Sequence, residues 1–433
     1  MLKILIVLFI ILLPLRYLFG LDLVEAVRLA KEFDPAYLSS YHEYRATQNY
    51  PYQAISKLLP QAGFSYKETS YNFLTGPKYY VDYSARETQI VLQQVLFNYP
   101  LFSEVKENFL RRKLGEIRLK HAEQDLLRRV SEAYFELLYA KEAYEIVKQE
   151  KRAIEEHLRM VERLFLAGEA TLTDLNDAKA RLANSEFRLV DAERLVEIRR
   201  KNLSRLIGID NFSPHNLRSE TDLKPILSDD LESWVSKTRS FNLVVQSYEI
   251  QKQLADIEFL KQRGQRLPTV NLVAQQQRTE ETTYFKIEPL TVKAVGIHLS
   301  LPIFSGGYIT FKEMELKERF RQAEKDFERV LSDNTQATSE SFLAARSFLS
   351  AIDAGRVALE SARVALDSTK KGFQAGIRTF VDVLNAESYF HRTRLDLLRV
   401  TVDFIKSIVA LNFYSGTLTD DVIIVLNSTL EKR

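Results

Sequence analysis

From Leu119 to Phe165 the apolar positions recur at spacings of three and four, through Leu119, Ala122, Leu126, Val130, Ala133, Leu137, Ala140 and Tyr144. A stripe of that period forms a coiled-coil seam. The 4-4 step Ala122–Leu126–Val130 is a local stutter that lets the helix run straighter. A helix from Ser103 to Phe165 would be about 95 Å long at 1.5 Å per residue, deeper than most globular cores. Glu142, Lys148, Glu150 and Arg159 fall between stripe positions and read as a solvated face. Gly168 interrupts the period, and a second helix runs from about Thr173 to Leu206, where Gly208 stops it.

Ahead of these helices the period changes. Residues 22–57 carry a short amphipathic helix (Leu23, Ala26, Val27, Ala30) that breaks at Pro35, resumes through Tyr37 and Tyr41, and ends at Leu59-Pro60. Ala62, Phe64 and Tyr66 then alternate with Gly63, Ser65 and Lys67. Beyond a tip containing Gly76-Pro77, Ile90, Leu92, Gln94 and Leu96 alternate with Val91, Gln93, Val95 and Phe97. These are two strands of a hairpin, each close to the roughly 9–11 residues that cross a bilayer. Tyr71, Phe73, Tyr79, Tyr80 and Tyr83 crowd its tip, as suits a membrane–water boundary. Taken alone, this stretch reads better as an ordinary soluble hairpin with exposed aromatic residues.

The plan then repeats. Phe165-Leu166-Ala167-Gly168 and Thr171, Asp174 and Ala178 return as Phe373, Ala375-Gly376, Thr379, Asp382 and Ala386 at an offset of 208 residues (165 to 373), and Leu59-Pro60 returns as Leu267-Pro268 at the same offset. Internal repetition decides an architecture before any other signal. The expected organisation is therefore an export signal at 1–20 and a first repeat at 21–208, with a β-hairpin at 62–97 and a helical-hairpin tip near Gly168. An irregular segment follows at 209–230, then a second repeat at 231–415. That repeat holds a helix at about 230–263, a β-hairpin at 268–302, a helix from about Tyr308 to Lys371, a tip near Gly376 and a last helix to about Tyr414. A short tail closes the chain at 416–433.

Composition narrows the setting. Lys3 precedes an apolar run from Ile4 to Leu15, interrupted by Pro14, with Gly20 ahead of Asp22. The run is shorter than the about 20 residues of a membrane helix, so it reads as a cleaved secretory signal rather than an anchor. Removing Lys3 and Arg16 leaves 58 basic residues against 58 acidic ones, with no basic excess to attract nucleic acid. The chain has no cysteine, which excludes disulfides, thiol catalysis, zinc–thiolate sites and an N-terminal lipidated cysteine, and fits a bacterial envelope protein. Past the signal no apolar run reaches the length of a membrane helix, so any membrane crossing must be made by strands.

Chemistry-bearing motifs are missing. The six histidines (His42, His121, His157, His215, His298, His391) lack metal-ligand spacing, and Gly306-Gly307 lacks the lysine and spacing of a phosphate cradle. No catalysis, metal or cofactor is expected.

Strand pairs within duplicated long helices, in an exported, cysteine-free chain, resemble the TolC-like outer-membrane efflux proteins. The motifs that carry the resemblance are Leu59-Pro60-Gln61, Val295-Gly296-Ile297-His298-Leu299-Ser300-Leu301-Pro302-Ile303-Phe304-Ser305-Gly306-Gly307, and above all Ala375-Gly376-Ile377-Arg378-Thr379-Phe380-Val381-Asp382-Val383-Leu384-Asn385-Ala386. The resemblance implies a mainly α-helical fold with a membrane β-barrel part: long antiparallel coiled-coil helices plus four strands per protomer, assembled as a homotrimer. It also implies outer-membrane lipid around the barrel, and a periplasmic end that opens when a periplasmic adaptor and an inner-membrane transporter engage it. Cargo of drugs, metal ions or secreted proteins would pass without chemistry. Independently, four strands cannot close a membrane barrel, which needs about eight or more. Two copies would give a lumen that side chains fill, and three an open pore; the choice of three rests on the family.

The resemblance further implies a periplasmic constriction lined by two acidic positions at the second tip. The first matches Asp382, whereas the second falls on Asn385, leaving a single acidic ring. Arg378 matches the family's tip arginine, Thr173 and Asp174 match its partners on the other hairpin, and Phe373 stands where a tyrosine hydroxyl would otherwise bond. Capping the helices that follow the tips is the alternative role for Asp174 and Asp382. The recurring motifs also mark Gly168, Gly376, Thr171 and Thr379 as adaptor-docking tips. A non-membrane periplasmic or surface coiled-coil scaffold is the competing function; it would have no reason to keep Val295, Ile297, Leu299 and Leu301 apolar in alternation.

Overall fold

A computed structural model of the chain describes residues 20–76, 82–218, 223, 226–227, 230–280 and 288–431. Residues 1–19 of the segment expected as an export signal (1–20), the tip residues Tyr79 and Tyr80 and most of 219–229 lie outside the described residues. Ten helices and four strands are found among the described residues: α1 (Leu23–Phe33), α2 (Pro35–Thr47), α3 (Tyr50–Ser56), β1 (Gln61–Tyr71), β2 (Tyr83–Phe97), α4 (Tyr99–Leu166), α5 (Leu172–Ile207), α6 (Leu231–Phe241), α7 (Leu243–Gly264), β3 (Thr269–Glu280), β4 (Leu290–Ser300), α8 (Tyr308–Gln374), α9 (Phe380–Ser415) and α10 (Asp420–Asn427). No helix among them is long and apolar enough to cross a membrane.

The 208-residue offset holds element by element. The starts of α1, α2, β1 and α5 return as those of α6, α7, β3 and α9. Asp22 and Asp230 cap α1 and α6, each accepting from the amide three residues on. Gly208 and Gly416 end α5 and α9 in the left-handed conformation, with φ of 74° and 76°.

Three differences from the expected elements have physical causes. The helix expected over 230–263 is two helices, broken at Asn242 (ψ 121°). The Asn242 carboxamide oxygen accepts from Val245 N at 2.8 Å, and its nitrogen donates to Tyr414 O at 2.7 Å and Asn334 Oδ1 at 3.2 Å. The equivalent break in the first repeat sits at Asp34 (ψ 116°), which accepts from Tyr37 N, so the offset carried a break that no proline announced. Second, α4 begins at Tyr99 rather than Ser103, because Asn98 Oδ1 accepts from Leu101 N and Pro100 in the first turn needs no amide partner. Third, the tail carries α10.

The chain divides into two compact units. One comprises the segment up to Tyr41, Leu119–Val245 and Leu331–Arg433. Its core joins Leu126, Leu127, Val130, Tyr134 and Leu138 of α4 to Leu203 and Ile207 of α5, Val402, Ile405 and Ile408 of α9, Leu23 and Val27 of α1, and Ile423 and Leu426 of α10. The buried Tyr134 hydroxyl donates to Leu21 O at 2.8 Å and accepts from His215 N at 3.1 Å, fastening residues on both sides of a parallel bridge between Leu21 and Pro214. Lys31 of α1 holds α10 and α4 through Asp420 at 2.9 Å and Glu123 at 2.7 Å.

The other unit, His42–Arg118 and Gln246–Val330, contains the whole sheet, an antiparallel meander in the order β1-β2-β3-β4. Glu107 of α4 braces it by pairing with Lys261 of α7 at 2.6 Å and with Arg111 at 2.7 Å.

Candidate functional site

Two regions carry the candidate function: the sheet in one unit and the paired hairpin tips in the other.

In the sheet, register sorts the side chains into two unlike faces. One face runs Ala62–Leu92–Ala274–Val295 across the four strands, with Phe64–Ile90–Gln276–Lys293 in the next row and Gln94–Leu272–Ile297 and Val270–Leu299 below, so it is predominantly apolar. The opposite face runs Gln61–Gln93–Val273–Gly296, Gly63–Val91–Gln275–Ala294 and Ser65–Gln89–Gln277–Val292. There Gln277 donates to Glu87 at 2.6 Å and Gln89 to Gln275 at 3.4 Å. On β2 and β3, Ile90, Leu92, Leu272 and Gln276 are exposed, whereas Gln89, Val91, Gln275 and Gln277 are half-buried, so the amide-rich face is the concave one. Val295, Ile297 and Leu299 stand 77%, 69% and 64% exposed on the convex face. An apolar convex face over a polar concave one is the pattern of a membrane barrel wall. The outer edges of β1 and β4 are left unpaired within the chain, and unpaired edges of this length call for pairing partners.

The two tips share one construction. After α4, Gly168 (φ 80°) donates to Phe165 O and Glu169 to Leu164 O; after α8, Gly376 (φ 74°) donates to Phe373 O and Ile377 to Gly372 O. Thr171 and Thr379 then cap α5 and α9 with reciprocal boxes. Asp174 accepts from Thr171 N at 2.9 Å and Thr171 Oγ1 at 2.7 Å; Asp382 accepts from Thr379 N and Oγ1, each at 2.9 Å. These bonds hold both carboxyls below their ordinary range. At Asp174 the Thr171 side chain contributes most; at Asp382 the Thr379 amide does, with the Arg378 charge adding to it. The N-caps are thus Thr171 and Thr379 rather than the aspartates, which close each box from the third helical position and remain charged and solvent-accessible.

Arg378 and Asn385 are exposed at the second tip, as Thr173 is at the first. No ion pair joins Arg378 to Asp174 among the described residues of the single chain; the Arg378 charge acts on Asp382 instead. Phe373 is half-buried and meets Phe380 edge-on, with ring centroids 5.3 Å apart. Phe380 in turn stacks on His157 of α4 at 4.3 Å with planes 10° apart. This aromatic stack ties the first hairpin to the second, and sequence reasoning missed two of its three members. His157 lies on a coiled-coil helix with no motif around it, and contact between positions this far apart leaves no local signal.

His157 is 6% exposed and its Nδ1 has no partner among the described residues. Burial lowers its proton affinity below the ordinary 6.5, and the Arg181 guanidinium pushes the same way against Asp177. A histidine with depressed folded-state affinity contributes stability above its ordinary value, and that contribution is lost as pH falls through the folded-state value. Protection from hydrogen exchange over 380–384, taken relative to the base-catalysed intrinsic rate at each pH, is therefore expected to fall between pH 7.5 and pH 5. In His157→Phe, which keeps the stack but cannot titrate, this loss of protection should shrink; an equal loss in both proteins would remove His157 from the tip's pH response.

The sheet and paired hairpins together define a protomer of an outer-membrane channel of the TolC-like type. Residues 27–209 and 234–417 each match the family model described as Outer membrane efflux protein, one match per repeat, and the chain belongs to that family. It is 26% identical over 416 residues to the alkaline protease secretion protein AprF of Pseudomonas aeruginosa, covering 93% of this chain and 86% of that protein. It is also 26% identical over 430 residues to the outer membrane protein TolC of Vibrio cholerae, covering 95% and 94%. The Campylobacter jejuni CmeC outer membrane channel superposes with a TM-score of 0.80 at 16% identity, covering 94% of this chain and 90% of that one. The chain is an outer-membrane channel component of an efflux or secretion system, and the scaffold alternative falls away.

Proposed function

We propose that three copies of this chain join edge to edge, β4 of one beside β1 of the next, to make a twelve-stranded barrel in the outer membrane. After loss of residues 1–20 on export, the assembly is a passive duct for cargo delivered by an inner-membrane transporter through a periplasmic adaptor. The observation that carries this proposal is the sheet with an apolar convex face, an amide-rich concave face and two unpaired edges. The names of AprF and of the proteases secretion protein PrtF of Dickeya chrysanthemi, 24% identical over 352 residues, support a place in protein secretion as well as efflux.

The tips are the proposed gate and docking surface. Asp382 would ring the throat, Asn385 would leave the second ring neutral, and Arg378 would reach Thr173 and Asp174 on the adjoining copy. The aromatic stack of Phe373, Phe380 and His157 replaces a tyrosine hydroxyl bond with contact area that salt does not screen. Gly168, Thr171, Gly376 and Thr379 would present the turns to the adaptor.

Membrane fractionation tests the placement. The protein should float with outer membranes and resist carbonate washing; complete extraction by carbonate would overturn the duct.

A further inference from the structure

We propose that the convex face of the sheet ends in a basic rim that binds the phosphate groups of a phosphorylated glycolipid in the outer leaflet. This inference rests on the sheet crossing the outer membrane as a barrel wall. All four strands join helices at one end, and β1 is followed directly by β2 and β3 by β4 at the other, so that other end is the one facing the cell exterior.

Along β4 the convex face is apolar through Leu299, Ile297 and Val295, with Leu301 just past the strand's end, and changes character at Lys293. The eight steps from Leu301 to Lys293 span about 27 Å at 3.4 Å per residue, or about 20 Å of membrane depth at a tilt near 40°. Lys293 therefore stands at the upper edge of the apolar band, in the row Phe64–Ile90–Gln276–Lys293. The next row outward is Tyr66–Thr88–Arg278–Thr291, and the one beyond is Glu68–Arg86–Glu280. Three successive rows thus put Lys293, Arg278 and Arg86 on the lipid side at the level of headgroups.

The two carboxylates present do not occupy these cations fully. Arg278 pairs with Glu280 at 2.7 Å. Arg86 lies 3.7 Å from Glu280 and 3.9 Å from Glu68, beyond hydrogen-bond length, and Glu68 accepts from the Tyr66 hydroxyl at 2.9 Å. Lys293 has no ion-pair partner among the described residues and is exposed. A cation on the lipid face costs little at the interface and much at the midplane. Placed at the interface, guanidinium and ammonium groups suit phosphate, which accepts charge-assisted bonds from both. A zwitterionic lipid would offer each cation a competing ammonium, whereas phosphates on a sugar do not.

The test uses the full-length protein in mild detergent, with bound lipid counted by native mass spectrometry. The probes are a bis-phosphorylated lipid A, its dephosphorylated form and phosphatidylglycerol. Wild type should retain the phosphorylated glycolipid in preference to both others. The variant R86Q/R278Q/K293Q should lose at least about tenfold of that retention, and E68Q/E280Q, which removes the competing carboxylates, should gain. Equal retention by wild type and the triple variant, or a preference for phosphatidylglycerol, would overturn the rim. Carbonate washing separates this from failure of the barrel itself: a protein that stays in the membrane but shows no phosphate preference loses only the rim.

Discussion

Gly416→Ala is expected to leave little assembled protein in the outer membrane, whereas Gly208→Ala is expected to lose only part of its stability. The two glycines are equivalent, one ending each repeat, and share a positive φ that costs an alanine about 1–2 kcal/mol. What differs is the wall each faces. A β-carbon on Gly208 would meet the ring of Phe33, itself half in solvent and able to swing aside. On Gly416 it would collide with the carbonyl of Phe241 and the α-carbon of Asn242, backbone atoms held at the break between α6 and α7. Asn242 cannot yield there, because its side chain bonds Tyr414 O and caps α7 at once. Overpacking against fixed backbone adds about 1–3 kcal/mol. Thermal unfolding and the amount of membrane-inserted protein measure both variants; indistinguishable behaviour would show that the repeat ends are not rigid in the way described.

The second large effect is expected at the throat. Asp382 stays ionised down to acidic pH because Thr379 bonds the charged form, so the proposed ring of like charges attracts cations where solvent is confined. Asp382→Ala removes this charge together with a helix cap, which confounds a negative result. Asn385→Asp leaves the cap untouched and adds a second acidic position one turn further along α9. The reversal potential under a salt gradient should shift toward cations in Asn385→Asp and away from them in Asp382→Ala. No shift in either would place the selective constriction elsewhere.

Much of this fold was legible because the chain states its plan twice. The offset read from Gly168 and Gly376 also governs Asp22 and Asp230, Asp34 and Asn242, and Gly208 and Gly416. Only the first member of the Asp34 pair was evident, since a proline follows Asp34 and a leucine follows Asn242. The strand faces followed from alternation, and register then made each row continuous across four strands. Three features were not legible. The helix α10 is eight residues long, with no period to detect, and is held by contacts such as Lys31 with Asp420. The stack of His157 on Phe380 is a tertiary contact between helices far apart in sequence. Asp174 and Asp382 were expected as N-caps, whereas Thr171 and Thr379 hold those positions and each aspartate closes the box from the third helical position, taking both threonine donors.

Single-channel recording of purified protein in a planar lipid bilayer tests the central claim most directly. The wild type should give discrete, cation-preferring current steps of small amplitude, and Arg378→Ala should give larger ones because the proposed bridge to the adjoining copy is lost. Bilayers that demonstrably hold both proteins yet stay electrically silent would contradict the assignment of this chain as a gated outer-membrane duct.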